Sequence, residues 1–168
     1  ELLRAMVAEN IFELQQMAYE YMRIDKSLLL ELSEDHLDEL AVNLDNWLSV
    51  DTYSAVVGLA WSESVISMDK IEKYLDQKDF WFRRIGVVST VYFNQQLRGD
   101  QLDFTIKVCE RVVGDHEKNM VKALSWALRE VVKYDSELVV DFLAKHEERL
   151  HKQVIREVNK KLYTGLKN

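Results

Sequence analysis

Few residues in this 168-residue chain have types and spacing that could do chemistry, and most of those candidates fail on spacing. The run His146-Glu147-Glu148-Arg149-Leu150-His151 imitates a zinc-binding HExxH helix, but its second histidine comes five residues after the first instead of four. On a helix that offset turns the second imidazole ~140° away from the first, so the two do not share one metal. His36 and His116 stand alone, and no metal is expected. Cys109 has no partner for a disulfide, sits among Ile106, Val108 and Val112, and reads as a small buried hydrophobe. Neither a glycine-rich phosphate loop nor a Gly-x-Ser-x-Gly elbow occurs, so no cofactor is expected.

A mixed set of aromatic, acidic and basic residues remains. Asp51 follows Trp47 by four positions, which puts both on one helix face. Trp81 and Trp126 each precede an arginine by three positions, Arg84 and Arg129. A carboxylate stabilises a developing cation, an indole face attracts one, and a guanidinium pairs with phosphate. Arginines beside aromatics are also how proteins commonly hold nucleic acid. Structural duties are open to the same residues. Asp51 could cap a helix or pair with Arg84, the tryptophans could pack between helices, and Lys118, Lys122, Arg129 and Lys133 could form a solvated stripe.

The elements that must position these residues are helical. Five glycines and no proline leave little turn chemistry for a β-fold. Apolar residues recur with a helical period at Ile11, Leu14, Met17, Ala18, Tyr21 and Met22, and at Val121, Leu124, Ala127, Leu128 and Val131. Val139, Val140, Phe142 and Leu143 form another stripe. Brief polar breaks fall at Ser33, Ser67, Asp79, Gly99, Gly114 and Asp135, several offering a capping side chain. The spacing predicts roughly nine or ten helices of about 10–18 residues. Phe12, Trp47, Trp81 and Trp126 are separated by 35, 34 and 45 residues, the period of a helix-pair repeat. The expected fold is therefore all-α, a right-handed superhelical α-solenoid of HEAT-like helix pairs forming a single domain over residues 1–168. Equivalent positions of stacked pairs line one surface, so Trp47, Trp81 and Trp126 are expected along one ridge or groove.

Three stretches carry a family resemblance: Asn46-Trp47-Leu48-Ser49-Val50-Asp51, Asp79-Phe80-Trp81-Phe82-Arg83-Arg84-Ile85, and Val121-Lys122-Ala123-Leu124-Ser125-Trp126-Ala127-Leu128-Arg129-Glu130. Over about Ile11 to Tyr163 the chain resembles the AlkD-type DNA alkylation repair glycosylases, a family of HEAT-like repeats. The resemblance implies hydrolysis of the glycosidic bond of N3- and N7-alkylated purines in double-stranded DNA, without drawing the base into a deep pocket. It implies Asp51 as catalytic carboxylate, Trp47 and Trp126 as the aromatic pair, and Arg84 and Arg129 as phosphate contacts. Trp81 and Lys122 join them as expected DNA-binding residues. The chain departs from the family where Asn46 replaces the first of two tandem tryptophans and Leu48 stands at a commonly acidic place. Start at Glu1 instead of Met suggests the C-terminal portion of a longer protein. A non-catalytic HEAT-like module binding protein or DNA through the same surface is the alternative.

Charge bears on the partner. The chain carries 22 basic and 29 acidic residues, a net charge of −7, which argues against a strong nonspecific polyanion binder. Residues 1–50 hold 3 basic and 11 acidic side chains, whereas residues 101–168 hold 13 and 11. The acidity is thus concentrated ahead of the candidate site, and distribution decides whether DNA can dock. With no membrane span and no disulfide, a monomer in a reducing, cytoplasmic setting is expected.

Overall fold

Short polar side chains set where the helices begin. Asn46 accepts hydrogen bonds from the Leu48 and Ser49 amides, Asp79 from Trp81, and Asp135 from Glu137 and Leu138. Glu117 and His151 cap in the same way. Each relieves amides that the first turn of a helix leaves unpaired. The computed structural model describes residues 1–166 and holds, among them, eleven helices and no strand. They are α1 (Leu2–Ala8), α2 (Phe12–Ile24), α3 (Lys26–Leu30), α4 (Glu34–Leu40), α5 (Trp47–Ser62), α6 (Met68–Leu75), α7 (Phe80–Leu97), α8 (Leu102–Arg111), α9 (Lys118–Val131), α10 (Ser136–His146) and α11 (Lys152–Thr164).

The long helices α2, α5, α7, α9 and α11 pack side by side in that order, and the shorter ones cover them, α6 on α7, and α8 and α10 on α9. This is the two-layered stack of an α-solenoid, with a continuous core running from Val7 to Val158. Packing is closest between α5 and α7. At Gly58 an added Cβ would stand 2.5 Å from the Ser89 carbonyl oxygen, so only a glycine admits that approach. Within the first repeats three buried tyrosines form a chain, with ring centroids 5.3 Å (Tyr19–Tyr53) and 6.5 Å (Tyr53–Tyr74) apart. Tyr19 donates to the Leu40 carbonyl, Tyr53 donates to the Leu37 carbonyl, and the Tyr74 hydroxyl lies 2.8 Å from that of Tyr53.

Three expectations are corrected. The described residues hold eleven helices, not nine or ten, and four of them have eight residues or fewer, because the outer layer is cut short at Glu9, Glu31, Ala41 and Asp76. On α2 the buried face is Gln15, Ala18, Tyr19 and Met22, while Ile11, Met17 and Tyr21 are exposed. Carbonyls decide that face, since Gln15 donates to Val42 and Tyr19 to Leu40. Finally, the tryptophans are not register-equivalent. Trp47 and Trp81 are the first and second residues of their helices, whereas Trp126 is the ninth of α9. The caps Asn46, Asp79, Glu117 and His151, spaced 33, 38 and 34 residues apart, mark the repeat instead. His146 ends α10 and His151 caps α11, so the two histidines occupy different helices. Cys109 is fully buried, and burial pushes its thiol well up from the ordinary range.

Candidate active site

The Asn46 cap starts α5 so that Trp47 and Asp51 stand one turn apart. Trp47 is 57% exposed. Asp51 lies deeper and meets Arg84 of α7. Arg84 Nε donates to Oδ1 and Nη2 to Oδ2, both at 2.8 Å. This forked geometry fixes the plane of a carboxylate as well as balancing its charge. Arg84 is 4% exposed, and its Nη1 donates to the Asn119 carbonyl at the start of α9. One guanidinium therefore ties together three successive long helices. Of the two structural duties open to Asp51, pairing with Arg84 is the one formed. Burial pushes the Asp51 carboxyl above its ordinary value of 3.8, against the pull of Arg84. Arg84 was expected to fork onto a phosphate; the structure aims that fork at Asp51, because the side chain is enclosed between α5, α7 and α9.

Counting from the caps places further residues in the same row. Gln16, Asp51, Arg84, Lys122 and Arg156 are each the fifth residue of a long helix. Gln16 joins the α5 end of the row, donating to Ser49 Oγ at 3.0 Å and accepting from Thr52 Oγ1 at 2.9 Å. Lys122 and Arg156 are exposed at the other end and make no ion pair among the described residues. Gln16 and Arg156 were missed by sequence reasoning, which aligned repeats on tryptophans; alignment on the capping residues finds both.

A second group gathers on α9. Trp126 is half-buried against the core and lines a cavity of about 230 Å³ with Gln95, Arg129, Glu130, Lys133 and Lys161. Arg129 Nη1 donates to Glu157 Oε2 of α11 at 2.8 Å, and Ser125 Oγ donates to the same carboxylate at 2.6 Å. Glu130, 2% exposed, accepts from Gln95 at 3.2 Å, Lys133 at 2.5 Å and Tyr134 at 3.3 Å. Trp81 is half-buried, its ring 4.4 Å from that of Phe80, and it packs on the core apart from this group. Part of the charge on and beside the long helices is paired internally, Arg23 with Glu20, Arg84 with Asp51, Arg129 with Glu157, and Lys133 with Glu130.

Between the two groups stands Tyr92 of α7, another residue missed from sequence. Its ring lies 5.8 Å from that of Trp126 at 73°, and 5.8 Å from the guanidinium carbon of Arg23. Burial, chiefly, pushes its phenol up, and the charges facing it are Arg23, Asp51, Glu20 and Arg84. An isolated tyrosine outside any motif gives no signal in a single sequence.

Among the described residues no three His, Cys, Asp or Glu side chains come together to hold a metal, and no helix is long and apolar enough to cross a membrane. No curated protein matches the chain significantly. A family model does match, that of the DNA alkylation repair enzymes, over residues 1–162; the chain belongs to that family, which implies DNA as its partner.

Proposed function

We propose that the chain is a DNA glycosylase that hydrolyses the N-glycosidic bond of cationic N3- or N7-alkylated purines. The observation that carries this reading is the Asp51–Arg84 pair: a carboxylate, fixed in orientation, one helical turn from an exposed indole. When the alkylated base departs it takes the bonding electron pair and leaves as a neutral purine. That leaving group needs no protonation, so the demand on the protein lies on the sugar side. There an oxocarbenium-like cation develops, which Asp51 stabilises while directing a water to C1′; the water oxygen bonds to C1′ and its proton passes to solvent. Trp47 and Trp126 present indole faces that attract the cationic base and sugar. The exposure of Trp47 suits a base handled at the surface instead of one drawn into a deep pocket.

Arg84 acts in this scheme as the positioning residue for Asp51. Phosphate contacts fall to Lys122 and Arg156, which are exposed and unpaired among the described residues, and to Arg129 once it exchanges Glu157 for DNA. Trp81 supports the start of α7. The test is release of 7-methylguanine from methylated duplex DNA by the wild type and by Asp51→Asn. Release by the wild type alone supports the assignment, and undiminished release by the variant removes Asp51 from it. The internal pairing of Arg23, Arg84, Arg129 and Lys133 favours one other reading, a non-catalytic helical module. Tight DNA binding with no base release by the wild type would establish that alternative.

A further inference from the structure

Between Arg84 and Asn94 every residue of α7 is buried except Tyr92. Tyr92 is therefore what α7 shows to solvent between the Asp51–Arg84 pair and Trp126. Its ring is gripped from both sides, by the Trp126 indole of α9 and by the Arg23 guanidinium of α2. Gly58 of α5 packs against the base of the Tyr92 side chain. A Cβ at Gly58 would stand 2.8 Å from Tyr92 Cβ and 2.5 Å from the Ser89 carbonyl oxygen. The Tyr92 hydroxyl makes no hydrogen bond with the described residues, so packing, not hydrogen bonding, sets the ring. Aromatic pairs met at such angles are directional contacts.

Resting on the glycosylase reading above, we propose that Tyr92 is a positioning residue of this site: its ring fixes the angle at which Trp126 faces bound DNA. Geometry of this kind matters to rate more than to binding, since small misplacements of a positioned group slow chemistry sharply while leaving most contacts intact.

The experiment compares the wild type, Tyr92→Phe and Tyr92→Leu, each with and without Trp126→Phe. Subtracting the Trp126→Phe signal isolates the acrylamide quenching of Trp126 fluorescence. Single-turnover release of 7-methylguanine and affinity for the same methylated duplex are measured in parallel. Tyr92→Phe is expected to match the wild type in all three. Tyr92→Leu, which fills similar space without a ring, is expected to raise Trp126 quenching and lower the single-turnover rate about 10-fold, with a smaller change in affinity. Unchanged Trp126 quenching in Tyr92→Leu overturns the proposal, as does a Tyr92→Phe variant as slow as Tyr92→Leu. Quenching requires no base release, so a wild type that releases none defeats the glycosylase reading while quenching still decides whether Tyr92 fixes Trp126.

Discussion

Arg84–Asp51 joins α7 to α5 and Arg129–Glu157 joins α9 to α11, yet the two pairs distribute their partners differently. In the first, both carboxylate oxygens meet one arginine, and that arginine is 4% exposed. In the second, a single oxygen of Glu157 takes Arg129 while Ser125 and Gln153 bind the same carboxylate, and Glu157 keeps 24% of its side-chain surface exposed. The first pair is an arginine in the service of a carboxylate. The second is a carboxylate shared among an arginine, a serine and a glutamine. A buried, forked partner orients; a shared, half-open one can be exchanged.

The contrast is broken most severely at Asp51. Asp51→Asn keeps the volume but loses the charge, and base release is expected to fall about 10²–10³-fold in single-turnover assays. Arg84→Met leaves Asp51 without its partner in a buried site, and urea unfolding should show a loss of about 3–5 kcal/mol. A loss below about 1 kcal/mol would place this pair in the class of exposed ones. Glu157→Gln should lower stability by no more than about 1 kcal/mol while freeing Arg129. Methylated and unmethylated duplexes should then bind more tightly, with a salt dependence steeper by about one phosphate contact.

Titration sharpens the same comparison with the smallest effect. Burial moves the Asp51 carboxyl up from 3.8, so the carboxylate form carries a folding cost that is relieved in acid. Glu157 moves down from 4.5; its burial opposes this, and hydrogen bonds from Ser125 and Gln153 with the Arg129 charge outweigh it. Its contribution to stability is present above the unfolded value and is lost as pH falls through the folded one. The two pairs thus bend the stability–pH curve in opposite directions, and carboxyl NMR should find Asp51 titrating above 3.8 and Glu157 below 4.5. Base release should fail in acid along the Asp51 curve.

The helical class was legible from periodicity, and Ser33, Asp79 and Asp135 were legible as caps because capping is local chemistry. The pairing of Asp51 with Arg84 was visible as an alternative. Its depth was not, since burial is set by neighbouring helices. The α2 face was misjudged because apolar pattern ignores where a polar atom finds a partner: Tyr19 and Gln15 are inside on account of carbonyls at Leu40 and Val42. Asn46, a departure when matched to the family, proves to be the cap on which the placement of Trp47 and Asp51 depends. Tyr92 and the exchange partner Glu157 arise from contacts 34 and 28 residues apart, which no local window contains.

The tyrosine chain of the first repeats has a consequence at the opposite end of the pH scale. Burial is the chief cause that raises the phenols of Tyr19, Tyr53 and Tyr74 above their ordinary value of 10.0. A group whose folded pKa is raised stabilises the fold below its unfolded value, and that stabilisation drains away as pH climbs past it. With three such groups in one cluster, alkali is expected to weaken the packing where Tyr19, Tyr53 and Tyr74 meet. If these rings ionise only as the first repeats open, their phenolate absorbance and the loss of helix follow one curve against pH.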